Sequence, residues 1–268
     1  PRHAVISSCQ AVKRSYMHSG PFRIISSDDQ AEKRVRLTPD YGMCTTCEEE
    51  LHDPKDRRYR YPFITCTDCG PRYSIITALP YDRTATSMKD FDMCPACEDE
   101  YNSPYNRRYY SQTNSCPDCP VAMTLHVGKQ VLYDQDKILK EAVRLIKAGK
   151  ILAAKGIGGY LLICDATNAE AIQTLRERKS RPEKPFAVLY ANREMIEQDL
   201  HLSAAEADGL VSTEAPIVLL RKKHEQATGL HSEALAPGLN RIGVMLPYAP
   251  LLSLLSRDTN RPLVATSG

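Results

Sequence analysis

The sequence predicts an α/β protein in which a small duplicated cysteine module precedes a domain of helices and strands. Eight of the ten cysteines lie in four CxxC pairs between residues 44 and 119. Beyond residue 125, short apolar runs alternate with amphipathic stretches, as strands and helices do in a sheet domain. The 268 residues, of which 42% are hydrophobic, are enough for more than one such unit.

The first 37 residues carry little pattern. Residues 22–26 form a strand-like run, and the polar, charged residues 27–36 are typical of a linker. No basic, then apolar, then small-residue leader opens the chain, so we expect a cytoplasmic protein. Because the chain opens without methionine and stops directly after a predicted strand, at Thr266, Ser267 and Gly268, we expect a fragment that lacks a C-terminal portion.

The cysteine module is an internal repeat with a shift of 50 residues. Its four CxxC pairs are Cys44/Cys47, Cys66/Cys69, Cys94/Cys97 and Cys116/Cys119. Nine further residues also recur 50 positions later: Asp40, Met43, Glu48, Glu50, Pro54, Arg57, Arg58, Tyr59 and Asp68. The agreement outside the cysteines indicates that a whole module has been duplicated.

The spacing of the pairs predicts two structural zinc sites. Two CxxC knuckles about twenty residues apart present four thiolates to one ion, and a closed shell of four cysteines leaves no position for a substrate. A disulfide framework would need an oxidising compartment, and thioredoxin-like chemistry usually uses one CxxC at a helix start. Iron–sulfur ligation stays open as the residual alternative. Cys9 and Cys164 fall outside the pattern, which favours an ordinary buried or surface thiol for each.

The charge of the module argues against a nucleic-acid partner. Arg-Arg-Tyr runs at 57–59 and 107–109 place arginines beside tyrosines that could stack on bases. Residues 40–120 nevertheless hold 9 Lys/Arg and 14 Asp/Glu, a balance of 9 − 14 = −5, and each zinc ion with its four thiolates adds about −2. We therefore expect the arginines to brace the knuckles by donating to backbone carbonyls, and the tyrosines to cover a small core.

No membrane partner is expected either. The longest apolar stretch without charge covers only residues 242–256 and contains Pro247 and Pro250. It is shorter than the run of about 20 apolar residues that a membrane-spanning helix needs.

The second unit is predicted element by element from its apolar periodicity. We expect a helix over 137–148 capped by Asp136, a helix that starts at Asn168, a helix near 204–211 with a Ser203/Glu206 capping box, and a helix over 251–255. The expected strands cover 151–154, 186–190, 217–220, 242–246 and 262–265. These patterns do not distinguish a parallel sheet from a mixed one.

The chemistry of this unit is expected at a cluster of cations. Neither a Walker A loop nor GxGxxG is present, because KGIGGY at 155–160 has the wrong spacing for both. The segment RERKSRPEKP instead supplies Arg176, Arg178, Lys179, Arg181 and Lys184. A solvated helix end is the simpler interpretation, but Pro182 and Pro185 would hold Lys179, Arg181 and Lys184 as a rigid clamp for a polyphosphate. Phosphate or nucleotidyl chemistry is the function this cluster indicates, with Lys155 contributing from a strand end.

Several stretches resemble the HypF family of hydrogenase-maturation carbamoyltransferases. They are MCTTCEEELHDPKDRRYRYPFITCTDCGPRYSII from Met43, MCPACEDEY from Met93, KGIGGYLLICDA from Lys155, RERKSRPEKPFAV from Arg176, PIVLL from Pro216, LAPGLNRIGVMLPYAPL from Leu235 and PLVATSG from Pro262. The eight-cysteine register and the order of the later stretches are specific to this family.

The resemblance implies three segments and a reaction. Residues 1–37 would be the tail of an acylphosphatase-like domain with a linker, 38–125 a duplicated zinc-finger module, and 126–268 an incomplete YrdC-like nucleotide-binding domain with a twisted α/β sheet. In this family, carbamate released from carbamoyl phosphate reacts with ATP to give carbamoyl-adenylate and pyrophosphate. A Kae1-like domain, which is missing here, then passes the carbamoyl group to the C-terminal cysteine of HypE, where it becomes the cyanide ligand of [NiFe] hydrogenase.

The resemblance also implies roles for individual residues. The Lys-x-Arg motif of YrdC-like domains falls on Lys179 and Arg181, which are expected to act on the ATP phosphates and the carbamate, with Lys184 beside them. Part of a Ser-x-Asn motif falls on Ser267, and Thr266 would be its neighbour in the nucleotide site. Lys155, Gly156 and Gly158 match the segment that lines the acyl pocket.

The expected cofactors and partners follow from this assignment. They are two structural zinc ions, ATP with Mg²⁺ as substrate, carbamoyl phosphate and a HypE-type acceptor protein; a homodimer is compatible with the sequence.

Two alternative functions stay open. One is a threonylcarbamoyl-adenylate synthase of tRNA modification, although Met245 stands where those enzymes commonly place an arginine. The other is a zinc-braced docking module without activity of its own.

Overall fold

The computed structural model describes residues 8–12 and 37–268, so the strand predicted over 22–26 and the linker over 27–36 lie outside the described residues. The helices are α1 (Thr45–His52), α2 (Pro95–Asn102), α3 (Gln135–Lys147), α4 (Ala169–Arg178), α5 (Arg193–Asp199), α6 (Ala204–Leu210), α7 (Ser232–Leu235) and α8 (Pro250–Thr259). The strands are β1 (Leu125–Val127), β2 (Gln130–Leu132), β3 (Leu152–Gly156), β4 (Gly159–Asp165), β5 (Val188–Leu189), β6 (Leu200–His201), β7 (Val218–Lys222), β8 (Arg241–Met245) and β9 (Leu263–Ser267). Within these described ranges, no helix combines the length and the apolar character that crossing a bilayer requires.

The duplication seen in the sequence is also a structural duplication. Helices α1 and α2 each begin directly after the first cysteine of a knuckle, with Cys44 and Cys94 as their N-terminal caps. Beyond each helix the backbone turns through one left-handed residue, Arg60 at φ 57° and Tyr110 at φ 52°. The backbone N–H groups of these two residues donate to carbonyls of α1 and α2, at 2.8 Å and 3.0 Å. The two fingers therefore have the same type of turn as well as the same arrangement of cysteines.

The domain after the fingers is built on a seven-stranded mixed sheet with the order β3-β4-β9-β5-β8-β7-β6. Among these described strands, β5 and β8 pair in parallel, and the other neighbours are antiparallel. The hairpin of β1 and β2 is a separate two-stranded sheet. Because β9 lies between β4 and β5, the last described strand completes the centre of the sheet.

Each face of the sheet supports its own hydrophobic cluster. Cys164, Val188, Val244 and Val264 point to one face and pack with apolar residues of α4, α5, α6 and α7. Their neighbours along the strands point to the opposite face and pack against α3 and α8. This alternation is what the two-residue period of a strand requires of a sheet that is covered on both sides. Cys164 is fully buried within the first cluster, as expected of a structural thiol, whereas Cys9 is exposed.

The element predictions are confirmed in type but shifted in position. Asn168 caps α4, and Ser203 with Glu206 forms the predicted capping box of α6. The cap of α3 is Asp134, whose side chain accepts from the Lys137 N–H, so the assignment to Asp136 is wrong. The strand expected over 186–190 is reduced to two residues, Val188 and Leu189, which form β5. Strands β1, β2, β4 and β6 and helices α5 and α7 were not predicted.

The first finger is packed into the sheet domain. Cys47, Leu51, Tyr61 and Ile64 are buried in the same cluster as the apolar residues of α3 and α8. The second finger has a small cluster of its own, formed by Cys97, Cys116 and Cys119. The two fingers thus differ in how they are attached, although they are alike in sequence.

Polar contacts continue the attachment of the first finger along α8. His52 Nε2 lies 3.0 Å from Ser253 Oγ, and Arg60 pairs with Asp258 at 2.6 Å. One turn before His52 on α1, Glu48 lies 3.2 Å from Arg257. The contact between α1 and α8 is therefore both apolar and charged.

The half-buried position of His52 predicts a pH-dependent stability. Burial, followed by the positive charges of Arg257 and Arg60, lowers the pKa of His52 from 6.5 to about 4, although Asp258 acts in the opposite direction. As the pH falls below 6.5, the unfolded chain binds a proton at this ring that the folded protein does not bind, so stability decreases. At pH 5 we expect a loss of about 1 kcal/mol relative to pH 7, reduced from the full shift by solvent screening.

Thermal melting of the protein and of His52→Asn between pH 7 and pH 5 measures this contribution. The variant is expected to lose less stability on acidification than the protein itself. Zinc content is measured at each pH so that metal loss is not counted as protonation of the histidine. Parallel pH profiles of the two proteins would exclude His52 as the source of the effect.

Candidate metal centres and candidate active site

The eight paired cysteines form two closed groups of four, as the sequence predicted. The groups are Cys44, Cys47, Cys66 and Cys69, and Cys94, Cys97, Cys116 and Cys119. Neighbouring sulfurs lie 3.6–3.8 Å apart in the first group and 3.6–3.9 Å apart in the second. A tetrahedron with Zn–S bonds of about 2.3 Å has edges of about 3.8 Å. These distances fit one tetrahedral zinc ion in each group and are too long for disulfides.

The Arg-Arg-Tyr runs brace the fingers, as expected, but they do so across the repeat. Arg58 of the first run donates from Nε to the carbonyl of Ser115 at 2.9 Å. Arg108 of the second run donates from Nε to the carbonyl of Thr65 at 3.0 Å. The tyrosine prediction is only partly right, because Tyr59 is 40% exposed.

The cation cluster of the sheet domain is positioned by the end of α4. Ser180 adopts a left-handed conformation at φ 48°, and the Arg181 N–H donates back to the Arg176 carbonyl at 2.9 Å. This is a Schellman type of helix end, which usually uses glycine at the left-handed position. Lys179 and Arg181 flank the turn and are therefore fixed by the backbone of the helix end.

Lys179 and Arg181 both contact the end of β9. The Lys179 ammonium donates to the carbonyl of Ser267. Arg181 Nη1 lies 3.4 Å from the hydroxyl of Thr266, and its Nη2 donates to the Pro185 carbonyl at 2.5 Å. The structure thus brings four of the predicted site residues together, although two different parts of the sequence supply them.

Arg176 belongs to the scaffold of this cluster. Its guanidinium is buried, donates to carbonyls of Ala234 and Leu235 at 2.7–3.0 Å, and also reaches the Arg181 and Lys184 carbonyls. Arg176, which the sequence places in the cation cluster but outside the clamp, supports the loop, because its guanidinium donates to these four backbone carbonyls. The side chain of Lys184 is exposed, and its backbone carbonyl accepts hydrogen bonds from Arg176 and Arg181.

The third part of the candidate site is a hairpin. Gly156 of β3 pairs with Gly159 of β4, and Gly158 turns the chain at φ 80°. The KGIGGY segment is therefore a tight turn at a strand end. Because Lys155 pairs with Tyr160, Leu162 pairs with Thr266, and alternate residues share a face, Lys155 and Thr266 point to the face that α4 covers. Ser267 points to the other face and offers its carbonyl to the site.

Two residues beside this hairpin were missed by the sequence reasoning. Ser74, which follows the last cysteine of the first finger, has its hydroxyl 3.7 Å from the position that a Cβ on Gly158 would take. Asp40 holds Ser74 through the hydroxyl, at 2.5 Å, and through the backbone N–H, at 3.0 Å. The hydroxyl of Tyr248 lies 4.0 Å from the equivalent position on Gly156. In the sequence, Asp40 stood out only because it recurs as Asp90 in the repeat, and this recurrence indicated a role in the fingers.

Comparison with known proteins assigns both halves of the chain. A family model described as HypF finger matches residues 43–76 and 93–125. A second model, of the Sua5, YciO and YrdC family and described as telomere recombination, matches residues 144–268. The carbamoyltransferase HypF of Synechocystis sp. is 52% identical over 248 residues, which are 92% of this chain and 32% of that protein. The chain belongs to the HypF family.

Solved HypF structures agree with this assignment. A crystal structure of full-length HypF in the phosphate- and nucleotide-bound form is 47% identical and matches with a TM-score of 0.80 over 87% of this chain and 30% of that one. HypF of T. kodakarensis is 43% identical, with a TM-score of 0.82 over 88% and 30%. The chain spans about a third of the length of the HypF relatives it matches. Its finger pair and mixed sheet are therefore HypF-type units, and its two four-cysteine groups are the zinc sites of HypF fingers.

Proposed function

We propose that this segment forms carbamoyl-adenylate within a carbamoyltransferase of [NiFe] hydrogenase maturation. The relatives that carry this segment are named carbamoyltransferases, and a solved relative is described as bound to phosphate and nucleotide. In the proposed reaction an oxygen of carbamate attacks the α-phosphorus of ATP, the bond to the β-phosphate oxygen breaks, and pyrophosphate leaves. Carbamoyl phosphate is the source of the carbamate.

The observation that carries the proposal is the convergence of Lys179 and Arg181 on the end of β9. Both reactants are anions, so their approach is opposed until nearby positive charge neutralises them. A lysine ammonium has three donors and an arginine guanidinium has five. Lys179 and Arg181 use some of these donors for backbone carbonyls and keep the others for phosphate oxygens. Because the helix end and the loop fix both side chains, the charges are in place before the nucleotide binds.

The surrounding residues suit the other parts of such a site. Gly156 and Gly158 give a turn without side chains, against which a small acyl group can approach the backbone closely. Lys155 lies on the same face and would orient the carbamate, and Lys184 would reach the outer phosphates from the loop. Thr266 and Ser267 would close the nucleotide side, with Mg²⁺ entering as part of the ATP substrate.

The later steps need parts of the protein beyond this segment. We propose that the carbamoyl group passes from the adenylate to the C-terminal cysteine of a HypE-type acceptor in the cytoplasm, where it becomes the precursor of the cyanide ligand. The segment boundaries of 1–37, 38–125 and 126–268 stay part of this proposal. In it, the zinc fingers are structural and the sheet domain performs the chemistry.

Pyrophosphate release measured on the protein at its full natural length tests the proposal. One reaction contains ATP, Mg²⁺ and carbamoyl phosphate, and a second contains ATP, Mg²⁺, bicarbonate and threonine. We expect release in the first reaction only. Pyrophosphate release in the second reaction alone would assign the protein to threonylcarbamoyl-adenylate synthesis. No release in either reaction would favour a zinc-braced docking module.

A further inference from the structure

The arginine runs of the two fingers contact the sulfur ligands of the opposite finger. Arg57, in the first repeat, places Nη2 2.9 Å from Cys97 Sγ and Nη1 3.7 Å from Cys116 Sγ. Arg107, its equivalent in the second repeat, places Nη2 3.3 Å from both Cys44 Sγ and Cys47 Sγ. The relation is reciprocal, because each arginine crosses from its own repeat to the thiolates of the other.

A glutamate from each finger helix joins the crossing. Glu100 of α2 accepts from Arg57 at 3.0 Å and from Arg58 at 2.5 Å. Glu50 of α1 accepts from Arg107 at 2.8 Å and also pairs with Arg108. Each glutamate follows the second cysteine of its knuckle at the i, i+3 spacing, so it lies on the helix face of that cysteine. Each arginine pair is thereby directed at the zinc site of the opposite repeat.

The burial of the second arginine in each pair makes the crossing costly to break. Arg58 and Arg108 are 1% and 4% exposed. A buried guanidinium that loses its anionic partners leaves an uncompensated charge, which is strongly unfavourable. Burial raises the pKa of Glu100, but the hydrogen bond and charge of Arg58 and the charge of Arg57 outweigh it and lower the value to about 2. The carboxylate that joins the first arginine pair is therefore anionic at neutral pH.

A closed zinc site of four cysteines carries about two negative charges inside the protein. N–H donors on the sulfurs disperse this charge and fix the orientation of the thiolates, and partners of this kind commonly contribute about 10- to 100-fold to metal affinity. Here the charged donors are arginines of the opposite finger, whereas the same finger supplies backbone N–H groups to Cys66 and Cys119. One finger alone would supply four cysteines but would lack the arginine that contacts them.

We propose that the arginine of each repeat holds the zinc ligands of the other repeat, so that neither finger retains its metal fully on its own. Arg57 is a positioning residue for the second zinc site and Arg107 is one for the first. This role is independent of the reaction performed by the sheet domain. The crossing also explains why the module is duplicated, because each zinc site needs an arginine from the other copy.

Site-resolved zinc release in the intact chain tests the crossing. The zinc-loaded protein is exposed to a chelator with excess N-ethylmaleimide, quenched at intervals and digested. Mass spectrometry of the peptides then gives separate labelling rates for the cysteines between 44 and 69 and for those between 94 and 119. Arg57→Gln and Arg107→Gln are compared with Arg60→Gln, a control from the same segment whose arginine pairs with Asp258.

We expect Arg57→Gln to accelerate labelling of the second group by about ten-fold or more, with a much smaller change in the first group. Arg107→Gln is expected to give the mirror image, and Arg60→Gln no selective change. Acceleration within the repeat of the substitution, equal acceleration of both groups, or no acceleration would each overturn the proposal. If a glutamine variant does not fold, Arg57→Lys and Arg107→Lys, which keep the charge and lose the forked geometry, are judged by the same crossed pattern.

Discussion

Alanine at Lys179 or at Arg181 is expected to lower the affinity for ATP by about 10- to 100-fold for each substitution. A hydrogen bond to a charged group contributes about 1.5–3 kcal/mol, and each 1.4 kcal/mol is about ten-fold in affinity. Both residues lie at the end of α4 and contact β9, so each loss removes charge from the same place. Isothermal titration calorimetry with Mg-ATP on the zinc-loaded protein measures the effect.

Arg178→Ala is the matched control for these two variants. Arg178 is also a cation of the last turn of α4, but its side chain is exposed. We expect this variant to bind ATP nearly as the parent does and all three variants to keep both zinc ions. If ATP bound equally well to all of them, the nucleotide would have to lie elsewhere and the assignment of Lys179 and Arg181 would be wrong.

Loss of zinc from the first finger is expected to destabilise the sheet domain much more than loss from the second. Cys47, Cys66 and Cys69 are buried in one cluster with the apolar residues of α3 and α8, whereas the second site has a separate cluster. Under saturating zinc, Cys47→Ser is expected to lower the melting temperature of the sheet domain by about 5–10 °C, which corresponds to a few kcal/mol for a chain of this size. Scanning calorimetry of the zinc-loaded variants measures the effect.

Cys97→Ser is the matched comparison, because it removes the equivalent ligand of the second repeat. We expect it to release its zinc ion while the sheet domain melts within about 2–3 °C of the parent. Zinc content and far-ultraviolet circular dichroism show that each variant has lost one site and kept its secondary structure. If both variants lowered the melting temperature equally, the packing of the first finger against α3 and α8 would not stabilise the sheet domain more than the second finger does.

The metal ligands could be predicted from the sequence because their geometry is local. A CxxC knuckle holds two sulfurs close together in the chain, and the repeat indicates which knuckles belong together. All eight predicted cysteines lie in the two groups that the structure shows. The crossing of Arg57 and Arg107 was not predictable in the same way. Within one repeat the pattern says that arginines brace a knuckle, and only the packing of the two repeats determines which knuckle.

In the sheet domain, too, contacts between distant parts of the chain could not be predicted from the sequence. Gly156 and Gly158 lie outside the strands expected from the sequence, because glycine weakens a strand signal. The structure pairs the flanking residues into a hairpin. Lys179 and Arg181 were proposed as site residues because prolines and charges cluster in their segment. Their contacts with Thr266 and Ser267 depend on a pairing between distant parts of the chain, which periodicity does not encode.

The central position of β9 determines when this domain can fold during synthesis. Strands β4 and β5 flank β9, so they have no neighbour between them until residues 263–267 have left the ribosome. Contacts of such high sequence separation form slowly, because a long loop must close before they are gained. The last zinc ligand, Cys119, is translated long before β9. On a nascent chain all zinc ligands are therefore available before the sheet can close, and the edges of β4 and β5 that face β9 stay unpaired in the interval.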